Sequence, residues 1–532
     1  MKNNKIYSAI ILSALATAAM TGCSKWEEFN TDPYGVTEEM LTADFNDVGV
    51  YFPTVQQGIY NNTCQWAWEM QTAQNLTADT WCGYMQAPTP FEGNINPATL
   101  YLIRGWVGGM WDLTYRDVMS PIFTSIYSKA EEYPHFYAVA QILRAIAMIR
   151  VTDSYGPVIY SKYGTSATGA AFDTQEEAYN HVFKELEEAK ATLKAYMAEY
   201  PGAKPFQPFD LMLGGDFGKW VQFANSIQLR AAMRIVKVNP TLAREKAEAA
   251  VADGVLEEGT VSVSGKGWVH PLSTLGTSWN DICMNAEMET ILSGYNDPRI
   301  GKFFLPASDE EVTKAGYKYK GIRMGIKIDV KETYAGHSFP NYVADTPGMI
   351  MTAAESWFLR AEGALRGWSG MGGTAGDLYN KGIETSFAQW GVSKELEAYL
   401  ENDNVQAAYV DLKNSANNVP ADSPYMNKVS PRWDDRASDE EKLQKIIIQK
   451  WIACFPDGME AWSEQRRTGY PILFPVMVNE SQGVFQNTDN VKRMTFPQAL
   501  EWSGQMEEAI SKLGGPDNGN TRLWWDTEGP NF

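Results

Sequence analysis

Histidine is scarce in this chain of 532 residues: His135, His181, His270 and His337 are the only four. They stand far apart and outside any HExxH frame, so the sequence offers no zinc-peptidase ligand set. Cysteine is scarce too. Cys64, Cys82, Cys283 and Cys454 follow Cys23 with no CxxC spacing, which excludes a disulfide scaffold and a zinc ribbon. A Cys64–Cys82 bridge and buried free thiols both stay open. Positive charge is in deficit, with 45 basic against 65 acidic side chains and a net charge of −20. Such a surface repels phosphate backbones, which argues against nucleic acid as a partner. There is no GxSxG elbow and no GxxxxGK[ST] loop. The run Gly370-Met371-Gly372-Gly373-Thr374-Ala375-Gly376 lacks phosphate-binding spacing and reads as a loop between helices. Beyond the N-terminus no stretch holds 18 uninterrupted apolar residues, so no later segment reads as a membrane span.

Aromatic residues are abundant instead: 18 Trp, 26 Tyr and 22 Phe. Indole is costly to expose without a use, so part of this excess points to a stacking surface. At the N-terminus, Lys2 and Lys5 precede an apolar run over 6–20 that closes on Thr21-Gly22-Cys23. The run is too short to cross a bilayer and has the pattern of a signal peptide. Small residues directly before a cysteine predict lipoprotein processing, with cleavage after Gly22 and acylation of Cys23. Residues 1–22 are thus expected to be a leader, with the lipid as the only membrane anchor.

Helical periodicity dominates the rest. Over 174–197 the residues Ala178, Val182, Leu186, Ala189, Leu193 and Met197 recur at spacings of four and three, one apolar stripe on a charged helix. The spacing predicts further helices over 111–129, 136–150, 351–366 and 441–455. Another follows Asp216 as its cap, carrying Trp220, Phe223, Ile227, Ala231 and Ile235. Period-2 strands are few. Helices come in pairs, yet no 34-residue repeat is legible. Between them lie irregular stretches at 76–105 and 256–345, rich in Pro, Gly and aromatic rings, and at 411–440, polar with Pro420, Pro424 and Pro431. Loops of that length in a compact protein are where function concentrates. Paired carboxylates for a glycosidase exist in number. The most inviting acid is Glu460 beside Trp462, but a helix residue neutralised by Arg466 or Arg467 is the better reading.

Five segments together resemble a known family. They are Ile142-Leu143-Arg144-Ala145 running to Thr152-Asp153-Ser154-Tyr155-Gly156-Pro157-Val158; Gly215-Asp216 with Lys219-Trp220, Ala224-Asn225-Ser226 and Leu229-Arg230; Ala354-Glu355 with Arg360-Ala361-Glu362-Gly363-Ala364; Gln449-Lys450-Trp451-Ile452 to Glu460-Ala461-Trp462 and Arg466-Arg467-Thr468-Gly469-Tyr470-Pro471; and Arg493-Met494 with Phe496-Pro497. With the lipidation motif, the chain resembles the SusD/RagB outer-membrane nutrient-binding lipoproteins, and within them the SusD-like 2 branch. The likeness runs from Cys23 to about Trp525. Ser24-Lys25-Trp26-Glu27-Glu28 resembles the export signal that carries such lipoproteins to the outer face.

The resemblance implies a mainly α single domain over 23–532, with four tetratricopeptide-like helix pairs packed against an irregular ligand-binding half. It implies binding without catalysis and no cofactor; no residue is assigned as a metal ligand, and a structural metal ion stays open. It also implies a TonB-dependent SusC-type barrel as partner, and oligosaccharide as ligand. Peptide is the alternative ligand, and a secreted glycoside hydrolase is the remote alternative. Trp220, Asn225, Arg230, Trp451, Trp462 and Arg466 fall in the framework. The aromatic content suits sugar, because a pyranose stacks its C–H face on a ring while polar groups take its hydroxyl rim. The ligand is expected between the 76–105 and 256–345 stretches, on Trp81, Tyr84, Trp268 and Trp279, with Asp79, Asn280 and Arg323 meeting hydroxyls. Trp66 and Trp68 rank lower, because residues at i and i+2 cannot share a helical face.

Overall fold

The computed structural model describes residues 42–63, 66–165 and 169–532. The leader, Cys23 and the acidic run after it lie outside the described residues, as does Cys64. Met1–Val50 forms a unit of its own, whose described part holds a short helix, Asn46–Gly49. The second unit, Tyr51–Phe532, holds the long helices and both small sheets.

Four consecutive helix pairs build the framework. They are α1 Pro134–Tyr155 with α2 Gln175–Glu199, α3 Phe217–Arg234 with α4 Pro240–Asp253, α5 Ala353–Leu365 with α6 Ala375–Gln389, and α7 Asp439–Ala453 with α8 Gly458–Thr468. The pairs stack in series, α2 on α3, α3 on α5 and α5 on α7. Local sequence starts these helices as expected. Thr174 and Glu177 close a capping box on α2, and Asp216 accepts the Lys219 N–H at the head of α3. Ala178, Val182, Leu186, Ala189 and Leu193 are fully buried, while Met197, at the end of the stripe, is half-buried.

A buried ion network ties the pairs together. Arg230 of α3 holds Glu355 of α5 through two bonds of 2.8 and 2.6 Å. Arg467 of α8 holds Glu362 of α5 at 2.7 and 2.6 Å. Glu460 receives Arg234 and Lys450, each at 2.6 Å. Its partners therefore come from α3 and α7, not from Arg466 or Arg467 on its own helix. Arg466 instead donates to the carbonyls of Asp153 and Lys492 and lies 3.5 Å over the Trp462 ring. Burial raises the Glu460 carboxyl, but Arg234, Lys450 and Arg230 outweigh it and hold the group down at about 2. A carboxyl so firmly ionised has no proton to give near neutrality, which removes it as a general acid.

The 111–129 segment is an interrupted helix. Gly109–Thr114 is α-helical, Tyr115–Met119 and Ile122–Ile126 wind as π-helix, and Tyr127–Lys129 ends as a 3-10 turn. Nor is the 76–105 stretch irregular from its start. A π-helix over Gln71–Asp79 runs on to Trp81. Gly458, the first residue of α8, crosses it so closely that a Cβ there would overlap the Asp79 carboxylate. Two small antiparallel sheets stitch the loops. β1 Met85–Gln86 pairs with β3 Cys283–Met284, and β2 Thr260–Val263 pairs with β4 Gly348–Thr352, with a bulge between Val261 and Ser262. Cys82, Cys283 and Cys454 are free and buried.

Candidate functional site

Burial divides the expected site residues. Trp81 is 2% exposed; its ring packs 5.0 Å from that of Trp462 and its N–H donates to the Pro97 carbonyl at 3.0 Å. Tyr84 is fully buried between Trp451 and Phe455, at 5.1 and 5.3 Å, and donates to the Trp451 carbonyl. Trp268 packs on Tyr60 at 5.6 Å and bonds the Thr346 carbonyl at 2.8 Å. The chain at Gly348 crosses both rings so tightly that a Cβ would sit 2.9 Å from each. These three rings are core, not platforms: each has lost its faces to neighbours and its polar atom to a backbone carbonyl.

The polar candidates divide in the same way. Asp79 is buried under Gly458 and accepts from the amides of Gln74 and Asn75 at 3.0 and 3.1 Å. Desolvation pushes its carboxyl up to about 7, against those two bonds. Arg323 is buried and clamps loops, donating to the carbonyls of Asn417 and Pro475 at 2.9 and 2.6 Å. Its planar head lies 5.8 Å over Phe474. None of these groups faces an open surface.

Trp279 and Asn280 do. Trp279 is 40% exposed and stands at the end of a π-helical turn, Thr274–Ser278. Its backbone is held from both sides. The N–H donates to the Thr274 carbonyl at 2.8 Å, and the carbonyl accepts from Lys331 at 2.7 Å. Lys331 also grips Asp281, which accepts from Thr89 as well. Asn280 follows in the left-handed region, φ 53°, a conformation asparagine tolerates better than most residues. Thr277, Ser278 and Asn280 form an exposed polar edge beside the indole.

Two rings that sequence reasoning ranked low are exposed as well. Trp66 and Trp68 are 60% and 48% exposed, with centroids 5.9 Å apart and planes 40° apart. The objection from helical spacing does not hold, because Trp66 is not helical. It is the extended residue before the turn Ala67–Met70, at φ −95° and ψ 96°, and the change of direction brings its ring beside Trp68. That turn packs against Pro271–Ser273 and the π-turn Thr274–Ser278, so three exposed indoles come from two adjoining segments. The turn also leads into the long π-helix Gln71–Asp79. Such windings are rare and cluster at functional sites. Arg116, half-exposed, reaches Glu69 at 3.0 Å and Asp117 at 2.7 Å at the rim of this surface.

A cleft of about 910 Å³ lies elsewhere, between α3, β2, α5 and α6. Its one ring, Trp357, is buried, with Arg360 over its face at 4.2 Å. It offers a sugar no free plane. Among the described residues no group of three or more His, Cys, Asp or Glu is placed to hold a metal ion, and no helix is long and apolar enough to cross a membrane. Burial lowers His135, His181 and His337 to about 4 and His270 to about 3, so all four imidazoles stay neutral.

The whole framework has known counterparts. The model of the SusD-like family, SusD and RagB outer membrane lipoproteins, matches residues 28–526. A chitin-binding SusD homologue from Flavobacterium johnsoniae is 42% identical, with a TM-score of 0.85 over 91% of this chain and 100% of its own. A SusD homologue from Bacteroides vulgatus is 36% identical, also at 0.85, over 92% and 100%. One from Bacteroides uniformis is 32% identical, at 0.82, over 90% and 99%. No curated protein matches.

Proposed function

The chain belongs to the SusD-like family of outer membrane lipoproteins, and from that premise we propose that it captures oligosaccharide on the surface formed by Trp66, Trp68 and Trp279. It is anchored through acylated Cys23 on the outer face of the membrane. It hands the ligand to a TonB-dependent barrel of the SusC type and catalyses nothing. The observation that carries the ligand class is the Trp66–Trp68 pair: two indoles 5.9 Å apart, each with about half or more of its surface open, on a protein whose other large rings are mostly packed.

The relative that is 42% identical is a chitin-binding protein, so β-1,4-linked N-acetylglucosamine chains are the ligand class proposed here. The N-acetyl groups would meet the edge of Thr277, Ser278 and Asn280. Calorimetric titration of the full chain with chitotriose tests the reading. Binding that disappears when Trp66 and Trp68 are both replaced by alanine supports it. Titration with no heat of binding for chitotriose, alongside tight binding of a peptide, would transfer the site to peptide capture.

A further inference from the structure

A second aromatic surface lies on the interrupted helix, and we infer that it is a distal subsite for the same glycan chain. The inference rests on the glycan reading above. Four residues of the interrupted helix follow one another at spacings of four, three and four: Arg116, Ser120, Phe123 and Tyr127. All four are exposed or partly exposed, while Asp117, Val118, Met119, Ile122 and Ile126 are buried. The row is therefore one solvent face. Its first member reaches the segment that carries Trp68, since Arg116 bonds the buried Glu69 at 3.0 Å. Its far end, Tyr127, lies eleven residues on.

At that end the rings are arranged rather than scattered. Phe123 and Tyr127 lie nearly parallel, with centroids 6.0 Å apart and planes 13° apart. Tyr163 meets Phe123 edge-on at 5.7 Å and 88°, and Tyr115 adjoins Tyr163 at 5.7 Å. Gly164, at φ 77°, lies so close beneath Phe123 that no side chain fits between them. The Phe123 ring is thus fixed from below and from one side. Tyr127 stays 52% exposed. Two pieces of π-helix, Tyr115–Met119 and Ile122–Ile126, set this spacing. The rim is polar, with Arg116 and Lys162 about half-exposed.

A half-exposed Tyr127 ring beside a fixed, partly exposed Phe123, with a polar rim, repeats the chemistry of the indole surface. The Glu69–Arg116 bridge links the segments that carry the two surfaces. A trisaccharide held at the indoles ends short of Tyr127, whereas a long chain reaches it. Chain length is accordingly what the second surface reads.

The test compares two probes on the full chain: chitotriose by calorimetry and colloidal chitin by depletion. Tyr127→Ala and Phe123→Ala should leave chitotriose affinity at the wild-type value and weaken binding to chitin roughly three- to tenfold, the span expected for one stacking ring. Tyr127→Phe keeps the ring and should bind both probes like wild type. Because Tyr127 is exposed, its alanine variant should melt with wild type even if Phe123→Ala does not fold. Unchanged chitin binding in Tyr127→Ala overturns the inference, as does an equal loss on both probes. Loss of chitin binding in Tyr127→Ala, together with wild-type binding of both probes after Trp66 and Trp68 are removed, would overturn the indole site and leave the aromatic row standing. If wild type binds neither probe, both readings fall.

Discussion

Replacing Trp66 and Trp68 together by alanine separates a binding surface from a core more cleanly than any other change in this protein. The two rings touch each other and are 60% and 48% exposed, so their loss opens no cavity, and unfolding free energy should move by no more than about 0.5 kcal/mol. Each well-placed stacking ring is worth about 0.5–1.5 kcal/mol beyond area burial. Losing two should therefore cost about 1–3 kcal/mol of binding, or roughly 5- to 150-fold in Kd. Trp81→Ala is the mirror experiment. That ring is 2% exposed against Trp462, and truncating a buried indole costs about 3–5 kcal/mol of stability. Its folded fraction should bind chitotriose like wild type. Urea unfolding and calorimetric titration of the three proteins decide the matter. The reasoning is refuted if the double variant binds normally, or if it loses as much stability as Trp81→Ala.

Three further outcomes are expected. Lys450→Met leaves Glu460, Glu355 and Glu464 with one fewer buried cation, from contacts of 2.6, 3.5 and 3.4 Å, and should cost about 3–5 kcal/mol in urea unfolding. Four imidazoles lowered from 6.5 to about 3–4 bind fewer protons folded than unfolded, so they make stability rise with pH between about 4 and 6.5. Asp79, raised from 3.8 to about 7, binds more protons folded and opposes that rise in the same window. Asp79→Asn should therefore steepen the dependence of the urea midpoint on pH, and a shallower slope would contradict the shift. Cys23→Ala should abolish labelling by radioactive palmitate and leave the precursor unprocessed, whereas an acylated product of mature size would contradict the lipoprotein reading.

Helices α1, α2, α3, α5 and α7 were legible because their information is local, whereas α4 and α6 were not read from the sequence. The stripe on α2 and the Asp216 cap of α3 are set by residues a turn apart, and both stand where periodicity puts them. The ion network was not legible, since Glu460 takes its partners from α3 and α7 rather than from the arginines beside it. The site was half legible. Trp279 and Asn280 reach the surface, but Trp81 and Tyr84 do not, because the Pro- and Gly-rich neighbourhood hid a π-helix that runs through Asp79. Trp66 and Trp68 were set aside by a rule for helical faces that does not govern an extended cap residue. Burial of a ring depends on which distant segment lies across it, as Gly348 crosses Trp268, and local pattern does not carry that information.

A crystal structure of the protein with bound chitotriose tests glycan capture most directly. Sugar rings stacked on Trp66 and Trp68, with the chain passing Trp279 and Asn280, is the predicted result. A ligand seated instead in the 910 Å³ cleft beside Glu257 and Trp357, with the exposed indoles bare, would contradict it.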